Sequence, residues 1–360
     1  MWKSVLHMLT LNFVLVLTAC TPPAVQETAA PLPAETQKLP ADTQAPPVET
    51  QVPPAETQAP PTLGEVKERN SLSAHDDLTL GVDFSSDGAL LATASWDGTA
   101  KIWDLSNNQV VLVLNGDAGK ADDIAFSSDG TRLAVSYSEG VTKLWDPTTG
   151  EELLTLSNTD WATSIDFSPD GAHLAVGYYD GTVHLWDLQT GQISLTLDGH
   201  SFVVDGVDFS PDGKRLLTSS GDTTEKVWDV ATGEELLTLQ APTYRSHVFS
   251  GKFSPDGTRI VTVGRNSRGE VWDAATGDLL FELIGHNGDI YDVEFSPDGR
   301  FLATAGEDGT AIIWNASSGG PLLKLVGHKG LVANVEFSPD GQSLASAGSD
   351  GELKFWDWTP

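Results

Sequence analysis

Short apolar runs separated by turn-forming residues recur along this chain from residue 64 to its end. The stretch 286–328 shows the unit. Ile290, Val293 and Phe295 make a first run, Leu302 and Ala303 a second, Ile312 to Trp314 a third, and Leu322 to Leu325 a fourth. Three turn signals divide them. In Ser296-Pro297-Asp298-Gly299 the proline sets φ at the second position and the glycine accepts a positive φ at the last. Asp308-Gly309 marks a second hairpin, and Ser318-Gly319-Gly320 a third. Each run has the length of a strand, and none sustains a helical period. The pattern predicts four short antiparallel strands per unit. The inner three are more apolar than the fourth because such sheets stack face to face.

The unit recurs seven times. Phe-Ser-(Ser or Pro)-Asp-Gly begins at Phe84, Phe126, Phe167, Phe209, Phe253, Phe295 and Phe337. A tryptophan follows each Phe by 19 residues, at Trp103, Trp145, Trp186, Trp228, Trp272, Trp314 and Trp356. Successive Phe residues stand 42, 41, 42, 44, 42 and 42 apart. A four-stranded unit of this period, ending in Trp-Asp, is the signature of a β-propeller blade. The expected fold of residues 64–360 is all-β: a seven-bladed propeller of four-stranded antiparallel blades. The chain stops three residues after Asp357, so the seventh blade has only three strands of its own. A bare edge there would invite aggregation. Residues 65–73 precede His75 as outer strands precede later copies, so Val66–Leu72 is expected to supply the missing strand and close the ring.

These motifs resemble the WD-repeat family across all seven copies. Trp-Asp closes six of them (Asn315 stands in the other), and Gly-His precedes the first strand at residues 199–200, 285–286 and 327–328. The resemblance implies a buried chain of hydrogen bonds in each blade. By position it is complete as His75, Thr93, Asp97, Trp103; as His200, Thr218, Asp222, Trp228; as His286, Thr304, Asp308, Trp314; and as His328, Ser346, Asp350, Trp356. Blade two departs with Asp117, Val135 and Glu139, blade three with Asn158 and Val176, and blade five with Tyr244 and Asn266. The His/Thr/Asp sets look like catalytic triads, but a catalytic site is normally built once, and four copies are what scaffolding looks like.

Charge changes the picture less than its size suggests. The formal net charge is −31, and the repeat itself fixes nineteen acidic positions, in the turns and around each Trp. The remaining surface is still acidic, which argues against nucleic-acid binding. One Asp per turn supplies too few oxygens for calcium, and no Cys/His pair has zinc spacing, so neither metal nor cofactor is expected. The single cysteine, Cys20, cannot form an internal disulfide.

Cys20 has another reading. Lys3 supplies a positive start, Leu9–Leu17 is a short apolar segment, and Leu17-Thr18-Ala19-Cys20 follows. This resembles the bacterial lipobox, which implies cleavage before Cys20, a diacylglyceryl group on its thiol, and display of the chain on a membrane outside the cytoplasm. Residues 21–63 then hold 11 of the 20 prolines and a seven-residue repeat of the type Ala34-Glu35-Thr36-Gln37. Prolines forbid a helix, so extended polyproline II is expected, a stalk reaching up to about 130 Å.

Loops before the first strand and between the second and third lie on one rim of such a ring. There the sequence places Trp96, Trp161, Tyr179, His247, Phe249, Arg265 and Tyr291. Aromatic and Arg side chains are favoured at binding hot spots. The fifth copy also carries the ring's one insertion and a run of cations, from which Arg245, His247, Arg265 and Arg268 are expected to form a basic notch for an acidic partner segment. The function expected is a non-enzymatic, monomeric, membrane-anchored scaffold for a protein or peptide. An envelope-assembly or ligand-binding factor using the central channel is the alternative, and a hydrolase a more distant one.

Overall fold

The computed structural model describes residues 67–240 and 246–358. The expected signal peptide with Cys20, the stalk, Tyr244 and Arg245 lie outside the described residues. Among the described residues, 28 strands form seven four-stranded antiparallel sheets. In six sheets the strands pair in chain order, as in β22 (Ile290–Phe295), β23 (Phe301–Gly306), β24 (Thr310–Asn315) and β25 (Pro321–Val326). β23 is buried throughout, whereas β25 ends in the exposed Val326. The hydrophobic gradient expected across each unit is therefore present. The first strands of the blades are innermost: β2 (Thr79–Phe84), β6 (Ala121–Phe126), β10 (Ala162–Phe167), β14 (Val204–Phe209), β18 (Val248–Phe253), β22 and β26 (Val332–Phe337). Each touches the next, and β26 touches β2, so the ring closes.

Closure is made by the N-terminal strand. β1 (Lys67–Ser73) pairs antiparallel with β28 (Glu352–Asp357), with Leu72 opposite Leu353 and Lys67 opposite Asp357. The expected strand is present from Lys67 on, and Val66 is outside the described residues. Lys354 Nζ donates to Glu68 Oε1 and Ser71 Oγ, each at 3.1 Å, and Arg69 meets Asp357 at 3.1 Å. Leu72 and Ala74 pack with Leu353, Phe355 and Trp103, so this segment also seals the seam to the first blade.

The polar chain forms in all four blades where the sequence has it. Trp103 Nε1 donates to Thr93 Oγ1 at 3.0 Å, Thr93 stands 2.8 Å from His75 Nε2, and His75 Nδ1 is 2.9 Å from Asp97. The other three chains repeat this with bonds of 2.7–3.1 Å. Each hydroxyl accepts from the indole and stands within hydrogen-bond distance of Nε2, and each Nδ1 stands within hydrogen-bond distance of the carboxylate. Burial lowers the pKa of His75 and His286 and favours their neutral form.

The three incomplete blades carry substitutes. In blade three, Tyr178 Oη accepts from Trp186 Nε1 at 3.3 Å. In blade two, the fully buried Tyr137 takes the same place, its hydroxyl near Trp145 but outside hydrogen-bond geometry. Gly116 makes the room for it, since a Cβ there would stand 2.2 Å from the Tyr137 ring. In blade five, Trp272 still donates to Thr262 at 3.0 Å, and the buried Glu270 accepts from Asn266 Nδ2 at 3.1 Å.

Candidate functional site

Seven of the nine expected rim residues come together as one continuous surface. Trp161 stacks on Tyr179 with ring centroids 6.0 Å apart and 15° between planes. Tyr179 meets Phe202 at 6.2 Å, Phe202 meets His247 at 6.3 Å, His247 meets Phe249 at 4.6 Å, and Phe249 meets Tyr291 at 5.2 Å. The arc thus crosses blades three to six. Asp122 extends it to blade one by accepting from both Trp161 Nε1 and Trp96 Nε1, the latter at 2.9 Å. Lys120 Nζ lies 3.5 Å from the centroid of a Trp96 ring. Arg265 bridges to Asp289 at 3.3 Å, and its guanidinium stands 5.8 Å from the Phe249 centroid.

Phe202 is the link that residue-by-residue reading of the rim omits. Its position in the repeat holds Asp77, Gly119, Asp160, Ser246, Gly288 and Gly330 elsewhere, so an aromatic there was the available signal. Tyr179 is 45% exposed, and the other rings are half-buried against one another. A half-buried, pre-packed aromatic surface has little side-chain entropy left to lose on binding.

Of the four residues of the expected basic notch, Arg245 lies outside the described residues, and the other three each meet a carboxylate. Arg268 leads into β20 (Arg268–Asp273) and turns to the outermost strand β21 (Leu279–Ile284), where it meets Glu282 at 2.7 Å. His247 Nε2 is 2.5 Å from Asp205 Oδ2, and Arg265 pairs with Asp289. His247, Arg265 and Arg268 each have a carboxylate from their own or a neighbouring blade. Only His247 and Arg265 belong to the rim arc.

The channel carries a second feature. Just before the repeat Phe stand Asp83, Asp166, Asp208, Glu294 and Glu336, with Ala125 in blade two and Lys252 in blade five. Asp123 and Asp292 join them from two positions earlier. Several act as hooks between blades. Asp83 accepts from the Phe126 backbone N–H at 2.5 Å, Asp123 from Ile165 at 2.9 Å, Asp166 from Phe209 at 2.7 Å, Asp208 from Phe253 at 2.8 Å and Asp292 from Val335 at 3.1 Å. Lys252 Nζ is 3.4 Å from Asp208, and its charge acts on all seven carboxyls. These side chains keep partial contact with solvent in the channel, yet protein surrounds them. Burial, then mutual repulsion, pushes Asp83 up to about 7, Asp123 to about 6, and Asp166 and Glu294 to about 8. Among the described residues no three such groups converge as a metal ion needs.

A pH dependence follows. Unfolded carboxyls titrate near 4. Between about 4 and about 8 the folded state therefore holds more protons than the unfolded one, and stability falls as the pH rises through that window. The turn residues Asp129 and Asp256 run the other way. Hydrogen bonds from Ser127 and Ser254 hold them at about 2, so their contribution is complete above about 4 and lost as the pH falls. Tm should peak near pH 5 and lie on the order of 5 °C lower at pH 8.5, at about 2 °C per kcal/mol for a domain of this size. A scanning calorimetry series across pH checks this, and a Tm that rises from pH 5 to 8.5 would count against it.

The family model described as "WD domain, G-beta repeat" matches residues 66–104, 108–146, 150–187, 191–229, 233–273, 277–315 and 319–357. Each matched segment starts on the outer strand of one blade and ends on the third strand of the next, so seven such segments can only close by the β1–β28 pairing. No curated protein matches the chain significantly.

Proposed function

The chain belongs to the WD-repeat family, and from that membership together with its N-terminal sequence we propose that it is a lipid-anchored, non-enzymatic scaffold displayed outside the cytoplasm of a bacterial cell, whose aromatic rim docks a protein or peptide. The observation that carries the docking surface is the unbroken ring-to-ring path from Trp161 to Tyr291. A scaffold role needs large, rigid, amphipathic contacts and no reactive centre, and Trp, Tyr and Arg are the residues that dominate such interfaces. The anchor rests on the sequence alone. Lys3, the apolar Leu9–Leu17 and Leu17-Thr18-Ala19-Cys20 support a lipoprotein signal over residues 1–20, with residues 21–63 as the stalk. Two or more acyl chains hold a protein on a membrane stably. The channel is the weaker docking candidate, because most of its carboxylates are already engaged as hooks between blades.

The test is chemical crosslinking in intact cells with the full chain and with Cys20→Ala. The full chain should incorporate labelled fatty acid, sediment with membranes and yield a discrete crosslinked partner. Cys20→Ala should lose the label and the sedimentation. Sedimentation of an unlabelled Cys20→Ala chain equal to that of the full chain would refute the anchor.

A further inference from the structure

Blade three alone carries an aromatic side chain at both of two neighbouring rim positions. Six residues before the repeat Phe, the copies hold Leu78, Lys120, Trp161, Val203, His247, Asp289 and Leu331. The first residue of the loop between the second and third strands is Trp96, Ser138, Tyr179, Gly221, Arg265, Glu307 or Ser349. Trp161 and Tyr179 stack 15° from parallel, and Tyr179 keeps 45% of its surface exposed. The fold fixes the pair. Trp161 Nε1 donates to Asp122, and the Tyr179 backbone N–H donates to the Trp161 carbonyl at 3.0 Å.

Carboxylates flank this stack. Asp160 precedes Trp161 and Asp180 follows Tyr179. Glu139 approaches from blade two, where a Cβ on Gly140 would lie 2.5 Å from the Asp160 carbonyl oxygen. Glu139 and Asp180 are exposed, and Asp160 is half-buried. The bonds to Asp160 and Asp180 come from neutral donors: the Trp161 N–H to Asp160 at 2.8 Å, and the Thr182 N–H and hydroxyl to Asp180 at 2.9 and 2.7 Å. The ion pairs of the arc, His247 with Asp205 and Arg265 with Asp289, leave all three carboxylates out.

Both ends of the arc show what its rings attract. Lys120 Nζ lies 3.5 Å from the centroid of a Trp96 ring, and Trp96 itself is bonded to Asp122. The Arg265 guanidinium stands 5.8 Å from the Phe249 centroid while pairing with Asp289. At each end, then, a cation of the chain covers a ring beside a carboxylate. Among the described residues no cation covers Trp161 or Tyr179. The middle of the arc has the ring and the carboxylates without the cation. A guanidinium suits such a place, because its flat face lies on a ring while its edge N–H groups donate to carboxylate oxygens. An ammonium is a point charge with no flat face to offer.

We propose that the Trp161–Tyr179 stack takes an arginine side chain from a basic segment of the docked partner, with the guanidinium face on Tyr179 and its edge toward Asp160 and Asp180. This rests on the reading of the rim as a docking surface and names the chemistry of what docks there. The site lies two blades from the expected notch of the fifth copy and asks for the opposite charge. The net charge of −31 speeds the arrival of a basic segment.

Fluorescence anisotropy of the full chain with labelled Gly-Ser-Arg-Ser-Arg-Ser-Gly, its lysine analogue and its glutamate analogue tests the assignment. The arginine peptide should bind tightest, the lysine peptide about fivefold or more weaker, and the glutamate peptide not at all. Affinity for the arginine peptide should fall about tenfold in the double variant Asp160→Asn, Asp180→Asn, as loss of charge-assisted bonds does, and its salt dependence should shrink. Tyr179→Ala should weaken binding by a similar factor and keep the salt dependence. Calorimetry verifies folding, and if the double variant does not fold, Tyr179→Ala and the lysine comparison carry the test. No binding to the native chain, equal binding of the lysine or glutamate peptide, or undiminished binding to the folded variants overturns the proposal. In intact cells, a crosslinked partner lost in Trp161→Ala, Phe249→Ala but kept in Asp160→Asn, Asp180→Asn overturns the arginine assignment and leaves the rim as the docking surface. A partner kept in both overturns the docking reading itself.

Discussion

A chain starting at Ala74 should melt about 10 °C or more below the intact domain and tend to aggregate. The removed strand supplies the fourth strand of the seventh blade and half of the only non-consecutive strand pairing among the described residues. Without it, β28 presents a bare edge, a template for pairing with other chains. Lys354, whose side chain is 8% exposed, loses its bonds to Glu68 and Ser71, and the whole β1–β28 ladder of backbone hydrogen bonds goes with them. Phe355 loses the Arg69 guanidinium above it, and Leu72 leaves the Trp103 cluster. At about 2 °C per kcal/mol these losses reach the stated size. Calorimetry and light scattering of the truncated chain check it. A Tm equal to that of the full chain would mean that the ring closes by some other contact.

Lys252→Met should have a comparable effect, but only at high pH. Lys252 replaces an acid of the repeat frame, and its ammonium offsets the field of Asp208, Glu294, Asp166 and Asp292. Breaking a buried ion pair by removing one partner costs about 3–5 kcal/mol. At pH 8.5 Asp83, Asp123, Asp166 and Glu294 are largely ionised in the native chain and would repel without relief, so Tm should drop by about 6–10 °C. At pH 5 these four are mostly protonated, and the variant should melt within about 2 °C of the native chain. An equal loss at both pH values would assign the effect to lost packing of the lysine stem instead.

What the sequence showed plainly are the features that repeat at one position. The Phe and Trp frame predicted the sheets, and the His75, His200, His286 and His328 chains could be assembled by counting along the copies. The strand before His75 could be placed because outer strands precede the first strand in every other copy. What stayed hidden are contacts between different positions of adjacent copies. Gly251 and Glu225 each look like a lone substitution until the packing of blade five on blade four sets them face to face. Tyr137 and Tyr178 replace a His and a hydroxyl from a different place in the strand, so aligned columns show only losses at Val135 and Val176. The carboxylate partners of His247, Arg265 and Arg268 stayed hidden for the same reason. Counting cations within the fifth copy ignored Asp205 of the fourth and Asp289 of the sixth, and strand direction sends Arg268 to Glu282. The rim aromatics were legible singly, and Phe202 joins them into an arc.

That arc bears the central claim, and the double variant Trp161→Ala, Phe249→Ala tests it most directly. Both rings are half-buried on the rim and belong to none of the seven core clusters, so the ring should stay closed. In intact cells the double variant of the full chain should lose the crosslinked partner by about tenfold or more, as loss of central aromatic anchors does, while a folded propeller is verified by calorimetry. Undiminished capture by a folded double variant would contradict the account and move the docking surface elsewhere on the ring.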